Sequence, residues 1–181
     1  MELELLLFDI EGRQIGMHTS DTFLPLEKQV LLLEGSEQAD TQLLADIVEY
    51  IMNYPDLYHH PQEDLVFELL RHKDDEIIPV IDRLIKEHKI MTERAIKLSE
   101  LLGDTKKEEK SQQLINLLRE YIDLSRNHVN IEEETIFPRA KQILTDDDWI
   151  EIDTGFTCQG DPLFGEVLHK QYKNIYDSII N

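Results

Sequence analysis

One cysteine, Cys158, one tryptophan, Trp149, and only 18 lysines and arginines stand in a chain of 181 residues. A lone thiol forms no intrachain disulfide and builds neither a thiolate zinc site nor an iron-sulfur centre, so any metal chemistry must rest on nitrogen and oxygen donors. As a nucleophile Cys158 would need a histidine partner, and no local motif supplies one. Such sparse cysteine suits a reducing compartment. The few basic residues face 38 acids, a formal net charge of -20. That field repels phosphate backbones and anionic membranes, which removes nucleic acid from the expected partners. No apolar run approaches the roughly 18 residues of a membrane span. The opening MELELLLFDIEG carries acids where a secretory leader carries basic residues. The expectation is a cytoplasmic protein with no membrane partner.

What is present is helical periodicity. LEKQVLLLEG (26–35) runs apolar to a glycine stop, and ADTQLLADIVEYIMN (39–53) follows with Asp40 placed as an N-cap. YPDLYHHP interrupts, and QEDLVFELLRH resumes with Pro61 at a first-turn position. From Asp75 to Leu102 the stripe Ile81, Leu84, Ile85, His88, Met91, Ala95, Leu98 predicts one long helix closed by Gly103. After the charged turn DTKKEEKS, Leu114, Leu117, Tyr121, Leu124, His128, Ile131 and Thr135 mark another, running to about Leu144. Thr145 and Asp148 have capping-box spacing, DTGFTCQGDP reads as a loop, and a last helix spans about Leu163 to Ile179. LELLLFDI alone resembles a strand. Four long helical segments joined by short turns predict an all-α, up-down antiparallel four-helix bundle with extra short C-terminal helices. One domain over 1–181 is expected, with 1–24 an unassigned N-terminal segment and 145–181 a helical extension packed on the bundle.

Seven histidines punctuate this pattern. His88 and His128 fall inside apolar stripes, so both should point into the bundle centre, where an imidazole needs partners. A lone histidine there is ordinarily a core residue bonded to a carbonyl, but two on facing helices change that balance. Glu132 lies one turn beyond His128 on the same face. Chance would give roughly 1.5 histidines with an acid four residues later in so acidic a chain. The chain has four, namely His59 with Glu63, His60 with Asp64, His72 with Glu76 and His128 with Glu132. His72 and Glu76 read as a solvated pair and His169 as a surface residue. HHPQED and HVNIEEE each bring a histidine and a carboxylate, with His88 between them in sequence. Such a thiol-free set suits borderline-to-hard metals such as iron or manganese, and its carboxylates can bridge two ions.

On YPDLYHHPQEDLVFELL, EHKIM, HVNIEEETIFP and LTDDDW, with DPLFG near the end, the chain resembles the hemerythrin-like proteins of the HHE cation-binding family from about Leu43 onward. The resemblance implies a non-haem di-iron centre, carboxylate- and oxo-bridged, inside the bundle. Its second-helix motif falls on His59 and Glu63, its third-helix ligand on His88, and its fourth-helix motif on His128 and Glu132, with Glu133 the neighbouring candidate. For the first-helix histidine the chain offers His18. A second third-helix histidine of the oxygen carriers is replaced by Leu84, which opens a coordination position or leaves a poorer site. The implied function is to bind, sense or scavenge oxygen, nitric oxide or peroxide, with a link to iron homeostasis. The alternative is a helical interaction module with a structural or vestigial metal site, meeting a protein partner or a second copy of itself.

Overall fold

The structure is a computed structural model, and it describes residues 19–103, 110–155 and 170–180. Within them every regular element is helical. Helix α1 (Thr19–Glu34) begins earlier than the expected residue 26 and carries Pro25 in its interior. Proline removes an amide donor at a cost of roughly 3 kcal/mol. Burial of Phe23 and Leu26 offsets that, at about 1.5–3 kcal/mol for each side chain. Helix α2 (Thr41–Asn53) starts where Asp40 accepts the amides of Gln42 at 3.1 Å and Leu43 at 2.9 Å, the N-cap its sequence predicts.

The expected interruption at YPDLYHHP is a single π-helical turn, Pro55–His59, leading straight into α3 (His60–Lys73). A short 3-10 turn, Asp75–Ile77, precedes α4 (Ile78–Gly103), the long third rod. The fourth rod is α5 (Lys110–Ile131), a second π turn at Glu132–Ile136, and α6 (Phe137–Ile143). Both π turns adjoin a proline, Pro61 after the first and Pro138 after the second. A ring that lacks an N–H and crowds the preceding turn favours the wider spacing there. Neither turn was foreseen, because hydrophobic periodicity does not register one extra residue per turn.

The rods enclose one another in the ring order α1, α2, α4, α5, the packing of a four-helix bundle. Helix α7 (Asp146–Gly155) lies against α3, and α8 (Lys173–Ile180), entered through a 3-10 turn at Lys170–Tyr172, lies against α1 and α2. Thr145 and Asp148 close the capping box reciprocally, with Thr145 N donating to Asp148 Oδ2 at 2.7 Å. The strand-like LELLLFDI, most of the 153–162 loop and the first part of the expected last helix lie outside the described residues.

Two apolar clusters fill the bundle. One joins Leu44, Ile47, Leu98 and Leu118, and the other joins Phe67, Leu70, Leu84 and Ile136. Between them lies a buried polar layer of His59, His60, Glu63, Glu87, His88, His128 and Glu132.

Candidate metal centre

Each rod reaches this layer for a local reason. The first π turn ends on His59, and Glu63 follows one helical turn later, so His59 Nε2 stands 3.0 Å from Glu63 Oε1. His88 projects from α4 between Leu84 and Met91 of the two apolar clusters. His128 ends the last full turn of α5, and Glu132 opens the second π turn with Oε1 3.0 Å from His128 Nε2. Glu63, His88, His128 and Glu132, all buried, each offer a donor atom within 4.8 Å of the other three.

The outer nitrogen of each central imidazole is tied to a carboxylate. His88 Nδ1 lies 3.1 Å from Asp64 Oδ1, and His128 Nδ1 lies 3.1 Å from Glu87 Oε2. Nδ1–H donates to the carboxylate in each case, which leaves the Nε2 lone pairs turned inward. Those two Nε2 atoms face each other at 2.9 Å. Two lone pairs so close repel unless a proton or a cation lies between them. A separation near 3 Å is also that of two donors about 2.1 Å from one ion at a right angle. Both Glu63 oxygens and Glu132 Oε1 are buried without a well-aligned hydrogen-bond donor. Buried acceptors are rarely left so, and here the missing partner fits a metal cation. The donor set and its orphaned oxygens therefore fit a borderline-to-hard metal cation.

Charge points the same way. Burial alone would raise the Glu63 carboxyl, but His59 first, then His88 and His60, hold it down at about 2. Burial and the negative charge of Glu63 push Glu132 well above the ordinary carboxylate range. Burial would lower His59, yet the Glu63 carboxylate outweighs it and raises the imidazole. Two carboxylates at one dry point do not both ionise without a positive charge, which a divalent ion supplies.

A cavity of about 30 Å³ opens beside the cluster, bounded by His59, His60, Glu132, Phe23, Met91 and Tyr121. It has room for a water molecule or a diatomic. Leu84 is wholly buried with Phe67 and Ile136 in the second apolar cluster.

Of the residues proposed from sequence, Glu63, His88, His128 and Glu132 share the cluster, and His59 touches it through Glu63. Glu133 is half-buried and outside the four. His18 and His169 lie outside the described residues. Two pairings differ from the forward i,i+4 spacing. His60 turns back to Asp56 at 3.3 Å, which frees Asp64 for His88, and exposed His72 pairs with Glu68 rather than Glu76. Helical side chains lean toward the N-terminus, so an acid one turn before a histidine competes with one a turn after. The orienting roles of Asp64 and Glu87 were not legible, because each acts on a histidine of a different element.

Fold and centre define a helical bundle with a buried cluster of imidazole and carboxylate donors that could hold a cation. The chain matches the family model described as the hemerythrin HHE cation binding domain over residues 25–140, and it belongs to that family. No curated protein and no solved structure matches it.

Proposed function

We propose that the chain is a non-haem di-iron protein that binds, senses or scavenges a small oxidant or diatomic, such as oxygen, nitric oxide or peroxide. The observation that carries this reading is the placement of Glu63, whose Oε1 faces His59 at 3.0 Å and whose Oε2 faces His88 at 3.6 Å. One carboxylate with an imidazole at each oxygen is arranged to span two ion positions. His88, His128 and Glu132 would hold an ion on one side of Glu63 and His59 would serve on the other, with the cavity lined by His59, His128 and Glu132.

Bound iron would supply reversible one-electron chemistry and an open position for an exogenous ligand. The protein's part is to fix geometry and exclude water. Asp64 and Glu87 hold the imidazole tautomers, Arg83 anchors Glu87 through a 2.7 Å hydrogen bond, and the flanking apolar clusters keep the layer dry. The cavity is large enough for a ligand of two heavy atoms. Among the described residues, no helix is long and apolar enough to cross a membrane.

Anaerobic reconstitution with ferrous iron tests the proposal. About two irons per chain are expected, with a visible band developing on oxidation and changing on addition of nitric oxide. Less than about one iron per chain refutes it.

A further inference from the structure

Six tyrosines and one tryptophan are the chain's readily oxidised rings, and four of the tyrosines touch one another in series. Tyr50 packs on Tyr54 with 6.0 Å between ring centroids and 22° between planes, and Tyr54 packs on Tyr58 at 6.1 Å and 29°. Tyr172 meets Tyr50 edge-on at 5.4 Å. The order is local in origin. Tyr54 N donates to Tyr50 O and Tyr58 N to Tyr54 O, both at 2.9 Å, so the backbone carries an i,i+4 register from α2 into the first π turn and sets three phenols on one face. The inner end of this ladder meets the polar layer. Tyr50 is wholly buried and bounds the cavity shared with His59, His128 and Glu132. Tyr172 is buried as well, whereas Tyr54 and Tyr58 are half-buried, so it is their branch that leads to water.

Pairs at this spacing ordinarily steady a helix by about 0.2–0.5 kcal/mol each, and phenylalanine or leucine serves that end as well as tyrosine. A phenol adds an O–H bond that a strong oxidant breaks, and rings stacked this closely pass an electron from one π system to the next. We propose that Tyr50, Tyr54 and Tyr58 form an electron relay between the centre and the surface of the α2–α3 rod, drawn on when an oxidant in the cavity needs more electrons than the metal holds. This rests on the iron and small-oxidant reading above. It adds a route by which a reductant refills the centre without entering the cavity.

Hydrogen peroxide shows the balance. Two electrons and two protons convert it to two waters, and a centre left with a single ferrous ion is one electron short. Tyr50 gives that electron together with its phenolic proton, the other proton comes from water, and a phenoxyl radical remains. Tyr54 returns one electron and one proton to Tyr50, and Tyr58 returns the same to Tyr54. The radical thus rests on Tyr58, where a small one-electron donor of the ascorbate class restores the phenol with an electron and a proton. Two other oxidisable side chains bound the cavity. Met91 takes up oxygen as a sulfoxide and passes no electron on. Tyr121 has no tyrosine stacked on it among the described residues. Both are where damage falls when the relay is cut.

The test adds excess hydrogen peroxide to the full chain loaded anaerobically with ferrous iron. Rapid freezing and electron paramagnetic resonance record radicals, and tandem mass spectrometry maps oxidised residues, with and without ascorbate. Wild type is expected to give a tyrosyl radical and oxidation at Tyr54 and Tyr58, both suppressed by ascorbate. Tyr54→Phe keeps the ring stack but removes the phenol, so iron uptake is unchanged, most of the oxidation at Tyr58 is lost, and oxidation moves to Tyr50, Tyr121 and Met91. Tyr58→Phe moves it to Tyr54, and this variant decides if Tyr54→Phe does not fold. A pattern that neither variant alters overturns the inference, since a stack that serves packing alone behaves that way. Equal oxidation of Tyr54 and Tyr58 in the iron-free chain overturns it too, as does wild-type oxidation confined to Met91 and Tyr121. Iron uptake below about one per chain defeats the function reading and the relay with it, whereas uptake of about two without tyrosine oxidation defeats the relay alone.

Discussion

Glu87→Ala tests whether the carboxylates behind the histidines matter to the metal. Glu87 is 8 % exposed, and its Oε2 accepts from His128 Nδ1 at 3.1 Å while Oε1 accepts from Arg83 at 2.7 Å. Removing it leaves a buried imidazole N–H without a partner, which costs about 1–3 kcal/mol in the metal-free fold. It also frees the ring to choose the tautomer that turns a proton, rather than a lone pair, toward the centre. Loss of such an outer partner typically weakens metal binding by about 10–100-fold, equivalent to about 1.4–2.7 kcal/mol. Asp64 makes the equivalent contact to His88, but its side chain is 46 % exposed. Water can replace it, so Asp64→Ala should cost less than about tenfold, nearer the value of an ordinary hydrogen bond. The assay is competition against a chelator of known affinity, joined to thermal unfolding of the metal-free chains. Affinity within twofold of wild type for Glu87→Ala would refute the reasoning, as would a larger loss for Asp64→Ala than for Glu87→Ala.

Other consequences are open to measurement. The Glu132 carboxyl, raised by burial and by Glu63, must lose its proton before it can ligate. Metal affinity should therefore climb with pH by about one decade per unit while that proton is displaced, and a flat profile contradicts the assignment. Phe67 is wholly buried, so Phe67→Ala should destabilise the metal-free fold by about 3–5 kcal/mol in denaturant titration, and a change below about 1 kcal/mol would show that the second core collapses around the gap. Lys73 first, then Thr145, holds the Asp148 carboxyl at about 2 against an ordinary 3.8. A carboxyl depressed in the folded state stabilises above its unfolded value and loses that stabilisation as pH falls toward the folded one. Wild type should thus lose stability between 3.8 and about 2, and Asp148→Asn should flatten that segment of the curve. An unchanged slope rules the contact out as a source of acid lability.

The sequence by itself determined the helices, the bundle, and which side chains could meet. Apolar residues every three or four positions specify a buried stripe, and a histidine within that stripe is carried inward whatever the partner helix is. That is why His88, His128 and Glu132 were legible, as were the Asp40 cap and the Thr145–Asp148 box, whose partners lie within three residues. Tertiary structure alone decided the rest. The His88–His128 contact, the hold of Asp64 and Glu87 on rings of other elements, and the cavity that Phe23 lines with His59 and Glu132 join residues as far as 41 positions apart, or on separate rods. Local periodicity fixes the direction in which a side chain leaves its own helix. Only the docking of one helix on another fixes what it finds there.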